Sequence, residues 1–184
     1  ELSGIEPVLL INKTDLLSDK NRQTIDELVK SYQEIGYQVL HASASAKAGL
    51  DQLTKTLNNR ISVFVGQSGV GKSSLINALL PGVDLKVGEL SEQTRKGRHT
   101  TTTARLFHFP SGGDLIDSPG IREFALWHIE PDALMDGFRE FRPYAGLCRF
   151  RDCKHRQEPG CALKDALTDG KISESRWASY WHIL

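Results

Sequence analysis

Nine consecutive residues, Gly66-Gln67-Ser68-Gly69-Val70-Gly71-Lys72-Ser73-Ser74, have the types and spacing to hold a chain of phosphates. The pattern is G-x-x-x-x-G-K-S. Glycines let the backbone wrap an anion with no Cβ in the way, and successive N–H groups then point inward at it. The Lys72 ammonium would sit on the terminal phosphates and the Ser73 hydroxyl on Mg²⁺. The flanks supply the context this motif requires. Ile61-Ser62-Val63-Phe64-Val65 reads as a buried strand and Leu75 to Leu80 as a helix. A glycine-rich turn with no ligand is the competing reading, and the full motif between strand and helix argues against it.

A second group reads a base. Asn12-Lys13-Thr14-Asp15 follows the apolar run Val8 to Ile11. The Asp15 carboxylate could accept from both N1–H and the N2 amino group of guanine. Adenine offers neither donor and would leave the carboxylate unpaired, and sites built on such pairing reject the wrong analogue by roughly 10⁴ or more. Asn12 would reach the other edge of the base and tie loops together. The aliphatic stem of Lys13 would lie on the ring. Alone, these four residues also suit an ordinary Asx turn. Ser43-Ala44, with Gly49-Leu50 a few residues on, resembles a loop that buttresses guanine through backbone N–H groups.

Three further stretches bear on hydrolysis. Asp117-Ser118-Pro119-Gly120 is D-x-x-G: Asp117 would hold Mg²⁺ through water and the Gly120 N–H would meet the γ-phosphate. Ile121 follows, where many regulatory GTPases carry a water-positioning glutamine. A side chain that cannot orient water leaves that task to another group, and His99 is the candidate within the chain; a solvated loop histidine is the bland alternative. His99 opens onto Thr100, Thr101, Thr102 and Thr103, one of which would give its hydroxyl to Mg²⁺; chemistry alone does not say which. The polar stretch from Val83 to Arg98 lacks periodicity and is where a switch segment is expected.

The three cysteines all lie near the end. Cys148, Cys153, His155 and Cys161 have the spacing C-x4-C-x-H-x5-C. Thiolates and an imidazole on short loops suit tetrahedral Zn²⁺, and four protein ligands fill the shell, so the ion would be structural. An odd count beside a histidine favours metal over disulfides and fits a reducing compartment. Arg139, Arg142, Arg149, Arg151, Lys154 and Arg156 surround the site, with Phe141, Tyr144 and Phe150 between them. That resembles a surface for RNA backbone and stacked bases; a solvated basic face is the alternative.

The elements that must position these groups follow from the pattern. Ile25, Leu28, Val29, Tyr32 and Ile35 recur at helical spacing, with Asp19 or Asn21 as caps and Gly36 as the stop. A strand over 37–41 delivers the Ser43 loop, and Leu50 to Leu57 form a short helix. Leu106 to Phe109 and Asp114 to Ile116 read as a hairpin. A helix around Asp132 to Phe138 opens a different region, and Trp177, Tyr180 and Trp181 form a stripe on a final helix. The 184 residues, 39% hydrophobic, suffice for one α/β domain with a small appendage. Net charge is +0, so any nucleic-acid binding must use a local patch. No apolar run reaches membrane-spanning length. A core strand so near Glu1 leads us to expect further residues before it.

The order of the motifs is unusual. The guanine motif and the S-A loop precede the phosphate loop, which ordinary GTPases carry first. The order is circularly permuted, physically cheap where old termini lie close together. Followed by Cys3His, the set resembles the circularly permuted, small-ribosomal-subunit-dependent GTPases of the RsgA family, also called YjeQ or YloQ. The resemblance implies an α/β fold: a P-loop GTPase domain over residues 1–130, with a mostly parallel sheet flanked by helices, then a helical zinc module over 131–184. It implies an OB-fold domain before the GTPase. It implies GTP and GDP as ligands with Mg²⁺, one Zn²⁺, and GTP hydrolysis stimulated by the 30S subunit during its late maturation. Its implied partners are the 30S particle and its 16S rRNA, with the protein a cytoplasmic monomer bound to no membrane. Carried onto this chain, the catalytic histidine is His99, the switch threonine Thr101, and Lys72 stabilises the transition state. Two other classes compete: a P-loop kinase, which N-K-T-D opposes, and a zinc-dependent RNA-binding module that keeps GTP as a structural clamp.

Overall fold

A computed structural model of the chain describes residues 1–83, 85, 105–117 and 131–184. The described residues group into two compact units: residues 8–32, 38–83, 85 and 105–117 form one, and residues 1–7, 33–37 and 131–184 the other. His99, Thr101, Gly120 and Ile121 lie outside the described residues, as does almost all of the expected switch segment.

In the larger unit, β1 (Val8–Ile11) pairs in parallel with β2 (Gln38–His41), Leu10 opposite Leu40. β3 (Ile61–Phe64) pairs in parallel with β5 (Asp114–Asp117), Phe64 opposite Asp117, and β4 (Arg105–His108) returns antiparallel on the other side of β5. The described strands thus form two ladders, parallel but for the hairpin. The parallel crossovers are helical, as the geometry requires: α1 (Asp19–Glu34) joins β1 to β2 and α2 (Leu50–Leu57) joins β2 to β3. α3 (Lys72–Leu79) follows the phosphate loop. α1 begins directly after Ser18, whose carbonyl accepts from Arg22 N at 2.9 Å, so Ser18 stands one residue before Asp19 and three before Asn21, the expected caps. Gly36 closes it through N–H to Gln33 O at 2.9 Å.

The core of this unit lies where the inward faces meet. Leu40, Leu53, Leu75, Ile76 and Leu115 are almost fully buried, with Leu10, Phe64 and Phe107 packed against them. Only one face of β3 joins this core. Phe64 points in, whereas Ile61 is 77% and Val63 40% exposed, so the strand is not buried on both faces as its composition suggests. β3 is the outer strand of its ladder, and its apolar alternation cannot show which face is covered.

The smaller unit has no sheet among its described residues. Pro131–Gly137 forms a 3-10 helix rather than an α-helix, and Arg142–Tyr144 a 3-10 turn. α4 (Ala162–Thr168) and α5 (Glu174–Ile183) complete it, the latter capped by the Ser173 hydroxyl accepting from Arg176 N. Its core is aromatic. Phe141, fully buried, stacks on Phe138 with ring centres 4.8 Å apart and meets the Tyr180 edge at 5.3 Å. Trp177 and Trp181 pack on its margin, as their helical spacing predicts. No described helix is long and apolar enough to cross a membrane.

Candidate nucleotide site and metal centre

Four of the segments singled out in the larger unit lie at the carboxyl ends of strands that pair in parallel, where ligands bind in open α/β sheets. β1 leads to Asn12, β2 to Ser43, β3 to Gly66 and β5 ends on Asp117. The base-reading and phosphate-holding loops are joined directly. Asn12 Nδ2 donates to Val70 O at 2.9 Å, and Lys13 Nζ donates to Gly69 O at 2.7 Å. Lys13 takes a left-handed conformation, φ 61°, that turns its stem across the phosphate loop. Thr14 N and Oγ1 both donate to Ala42 O, which ties the guanine motif to the Ser43 loop as well.

The Ser43 loop is closed by two backbone bonds between Ser43 and Ala48. Gly49 makes this closure possible: at φ 70° its Cβ would lie 2.0 Å from His41 O. Ser43 is fully buried and its hydroxyl donates to Asp15 Oδ1, while Ser45 Oγ donates to Asp15 Oδ2 at 2.9 Å. These hydroxyls, Ser43 first, hold the Asp15 carboxyl below its usual range. The carboxylate is therefore ionised and oriented, as a reader of two N–H donors must be.

In the phosphate loop, Gly71 is the N-cap of α3, and the first turn carries Lys72, Ser73 and Ser74. Lys72 Nζ donates to Gly66 O at 2.6 Å and Gln67 O at 3.0 Å, so its ammonium already lies within the loop. Gln67, Ser68 and Val70 complete the backbone that a phosphate would meet. Asp117 is 4% exposed, and burial raises its carboxyl pKa, with Lys72 and Arg105 opposing. A buried carboxylate and the Ser73 hydroxyl are hard oxygen donors of the kind Mg²⁺ takes alongside phosphates. Ala44 is half-buried, packed against the core.

One contact escaped the sequence reading. Asn77 on α3 clamps Leu85, donating from Nδ2 to Leu85 O at 2.8 Å and accepting from Leu85 N at 2.9 Å. No motif flags it, because an asparagine eight residues before its partner has no periodic signature.

The metal centre closes in the smaller unit. The ligand atoms of Cys148, Cys153, His155 and Cys161 all lie within 4.8 Å of one another. His155 Nδ1 is 3.3 Å from Cys161 Sγ and 3.6 Å from the sulfurs of Cys148 and Cys153. A tetrahedral Zn²⁺ with ordinary Zn–S and Zn–N lengths places nitrogen and sulfur about 3.5 Å apart. The residues fit the ion, with Nδ1 as the imidazole ligand. Burial pushes the Cys153 thiol up to about 12 and raises Cys161 too, and a central cation would favour the thiolate form of both. Glu158 braces the loop from outside: its carboxylate accepts N–H from Lys154, Arg156 and Gln157, and the bond from its own backbone N–H, together with these, lowers its pKa to about 2.

The basic face is smaller than the sequence suggests. Arg139 and Arg142 pair with Glu1 at 2.7 and 2.9 Å. Phe141 is core and Tyr144 packs against it, because both face the aromatic cluster. Phe150 remains 43% and Leu147 65% exposed, with Arg149 over the Phe150 ring at 5.5 Å.

Known proteins share both the sequence and this geometry. The family model described as RsgA GTPase matches residues 1–127. The small ribosomal subunit biogenesis GTPase RsgA of Ectopseudomonas mendocina is 60% identical over 184 residues, covering 100% of this chain and 54% of that protein. The protein of the same name from Pseudomonas aeruginosa gives the same identity and coverage. The chain spans about half the length of the curated relatives it matches. Among solved structures, YjeQ from Thermotoga maritima superposes with a TM-score of 0.81 at 37% identity, over 98% of this chain and 59% of that one. YloQ, a circularly permuted GTPase, gives 0.73 at 31% identity, over 96% and 55%. With the guanine motif ahead of the phosphate loop and the two tied through Asn12 and Lys13, this chain belongs to the RsgA GTPase family.

Proposed function

We propose that this chain is the GTP-hydrolysing and zinc-binding part of a cytoplasmic factor for late maturation of the small ribosomal subunit. It acts as a monomer on the 30S particle and its 16S rRNA, which stimulates its turnover. The observation that carries this reading is the pair of bonds from Asn12 to Val70 and Lys13 to Gly69, which make one site of a base reader and a phosphate cradle.

In this reading Asp15 selects guanine, with Ser43 and Ala44 behind the base. The loop N–H groups from Gly66 to Ser74 and the Lys72 ammonium take up charge on the phosphates as water attacks in line. Lys72 must exchange its two carbonyl partners for phosphate oxygens, a move of one flexible side chain. Ser73, Thr101 and Asp117 would hold Mg²⁺, which would supply Lewis-acid stabilisation of charge on the phosphates. The Gly120 N–H senses the γ-phosphate. His99 orients the water, and RNA contact brings it into place. The zinc held by Cys148, Cys153, His155 and Cys161 is structural, since four protein ligands leave no open position.

The test is GTP hydrolysis by the full-length protein with and without purified 30S subunits, 50S subunits serving as control. Stimulation by 30S alone is expected, and His99→Ala should lower the stimulated rate by roughly 10²-fold or more. Tight GTP binding with no stimulated turnover would replace this reading with that of a zinc-dependent RNA-binding module in which GTP is a clamp.

A further inference from the structure

We propose that Ser45 is a positioning residue for guanine selection, its hydroxyl fixing the second oxygen of the Asp15 carboxylate so that both oxygens present coplanar acceptors to the base. This rests on the guanine reading of Asp15 above.

Two hydroxyls reach that carboxylate, one to each oxygen: Ser43 Oγ to Oδ1 and Ser45 Oγ to Oδ2 at 2.9 Å. They differ in setting. Ser43 is fully buried, and its oxygen also accepts from Ala46 N at 3.0 Å, so its proton is committed to Asp15. Ser45 is exposed and lies two residues on, its Oγ 3.0 Å from that of Ser43. The S-A pattern accounts for Ser43 and Ala44 but asks for no hydroxyl at Ser45.

The consequence is geometric. The terminal torsion of an aspartate is broad, without sharp staggered wells. One hydroxyl anchors one oxygen and leaves the plane free to swing about it; a second fixes the plane. Each oxygen of an ionised carboxylate still has acceptor capacity after taking one hydroxyl. Guanine needs two acceptors in line, for N1–H and an N2 hydrogen, whereas hypoxanthine needs one, for N1–H. A wandering carboxylate plane therefore costs guanine more than hypoxanthine.

The experiment is calorimetric titration of the full-length protein with GDP, IDP and ADP. The variants are Ser45→Ala, Ser45→Thr and Asp15→Asn. Ser45→Ala should weaken GDP about 10-fold, the scale of one hydrogen bond to a charged group. It should weaken IDP less, so the GDP-to-IDP preference falls. Ser45→Thr, which keeps the hydroxyl, should restore both. An unchanged GDP-to-IDP ratio in Ser45→Ala, or tighter GDP binding from a competitor removed, would overturn the proposal. Asp15→Asn separates the two levels. If it leaves the preference for GDP over ADP intact, the guanine reading itself fails. If it abolishes that preference while Ser45→Ala keeps the parental ratio, only the role of Ser45 falls.

Discussion

Gly71 and Asn12 approach so closely that a Cβ on Gly71 would lie 2.4 Å from Asn12 Nδ2. The cap of the phosphate-loop helix and the first residue of the guanine motif thus share one space, across 58 residues of chain between Asn12 and its acceptor Val70. Gly71 also sits at φ 95°, where an L-residue is strained. Gly71→Ala should therefore cost about 1–3 kcal/mol through strain and displace Asn12. GDP affinity should fall by roughly 10-fold or more, and thermal unfolding should start earlier. Asn12→Ala should lower affinity with a smaller loss of stability, because it removes the tie without the strain.

Asp117 bears an electrostatic cost of burial. Its carboxyl is buried, and its pKa is raised above 3.8 chiefly by that burial. A raised folded-state value means the ionised form is penalised above pH 3.8, and the penalty disappears below it. Asp117→Asn should raise the melting temperature of the metal- and nucleotide-free protein by a few degrees at pH 7, and the gain should vanish as pH falls toward 3.8. The same variant should lose Mg²⁺-dependent hydrolysis. Melting curves across that pH range check the first outcome and phosphate release checks the second.

Cys161 is at once one of the four proposed metal ligands and part of the aromatic core, 1% exposed. Removing the ion should therefore disorder more than a loop. With a strong chelator, or in Cys153→Ala, bound zinc should drop toward zero. The emission of Trp177 and Trp181 should shift as their packing on that core is lost. Full zinc stoichiometry in Cys153→Ala would exclude the ligand set.

Arg176 and Glu140 form a buried pair at 2.5 Å, their side chains 15% and 7% exposed, with the guanidinium also 4.5 Å over the Phe138 ring. Breaking such a pair from one side strands the other charge, at a cost of roughly 3–5 kcal/mol. Arg176→Ala should accordingly destabilise the smaller unit by an amount on that scale, whereas joint replacement of Arg176 and Glu140 by apolar residues should cost far less. Differential scanning calorimetry of the single and double variants tests the non-additivity.

The motifs are written locally. Gly66 to Ser74, Asn12 to Asp15, and the cysteine–histidine set are short, and each residue type at each spacing suits one proposed demand: a phosphate chain, a guanine edge, a tetrahedral ion. The strands and helices that carry them also follow from period and turn residues, which is why β5 and α2 fall where alternation and helical spacing put them. Partnership between distant residues had no such signature. Nothing in the composition of Ile61 to Phe64 says that one face of β3 lies open, or that the described strands pair as two ladders. Phe141 reads as a surface aromatic among arginines until Phe138, Trp177 and Tyr180 close around it. Arg139 and Arg142 read as free cations until Glu1, well over a hundred residues earlier, takes both. The second hydroxyl on Asp15, the Asn12–Gly71 approach and the Asn77 clamp on Leu85 likewise exist only once the chain has folded. Short-range patterns encode which groups a site contains. Burial and long-range pairing, fixed by the whole core at once, decide where those groups point and which charges remain available.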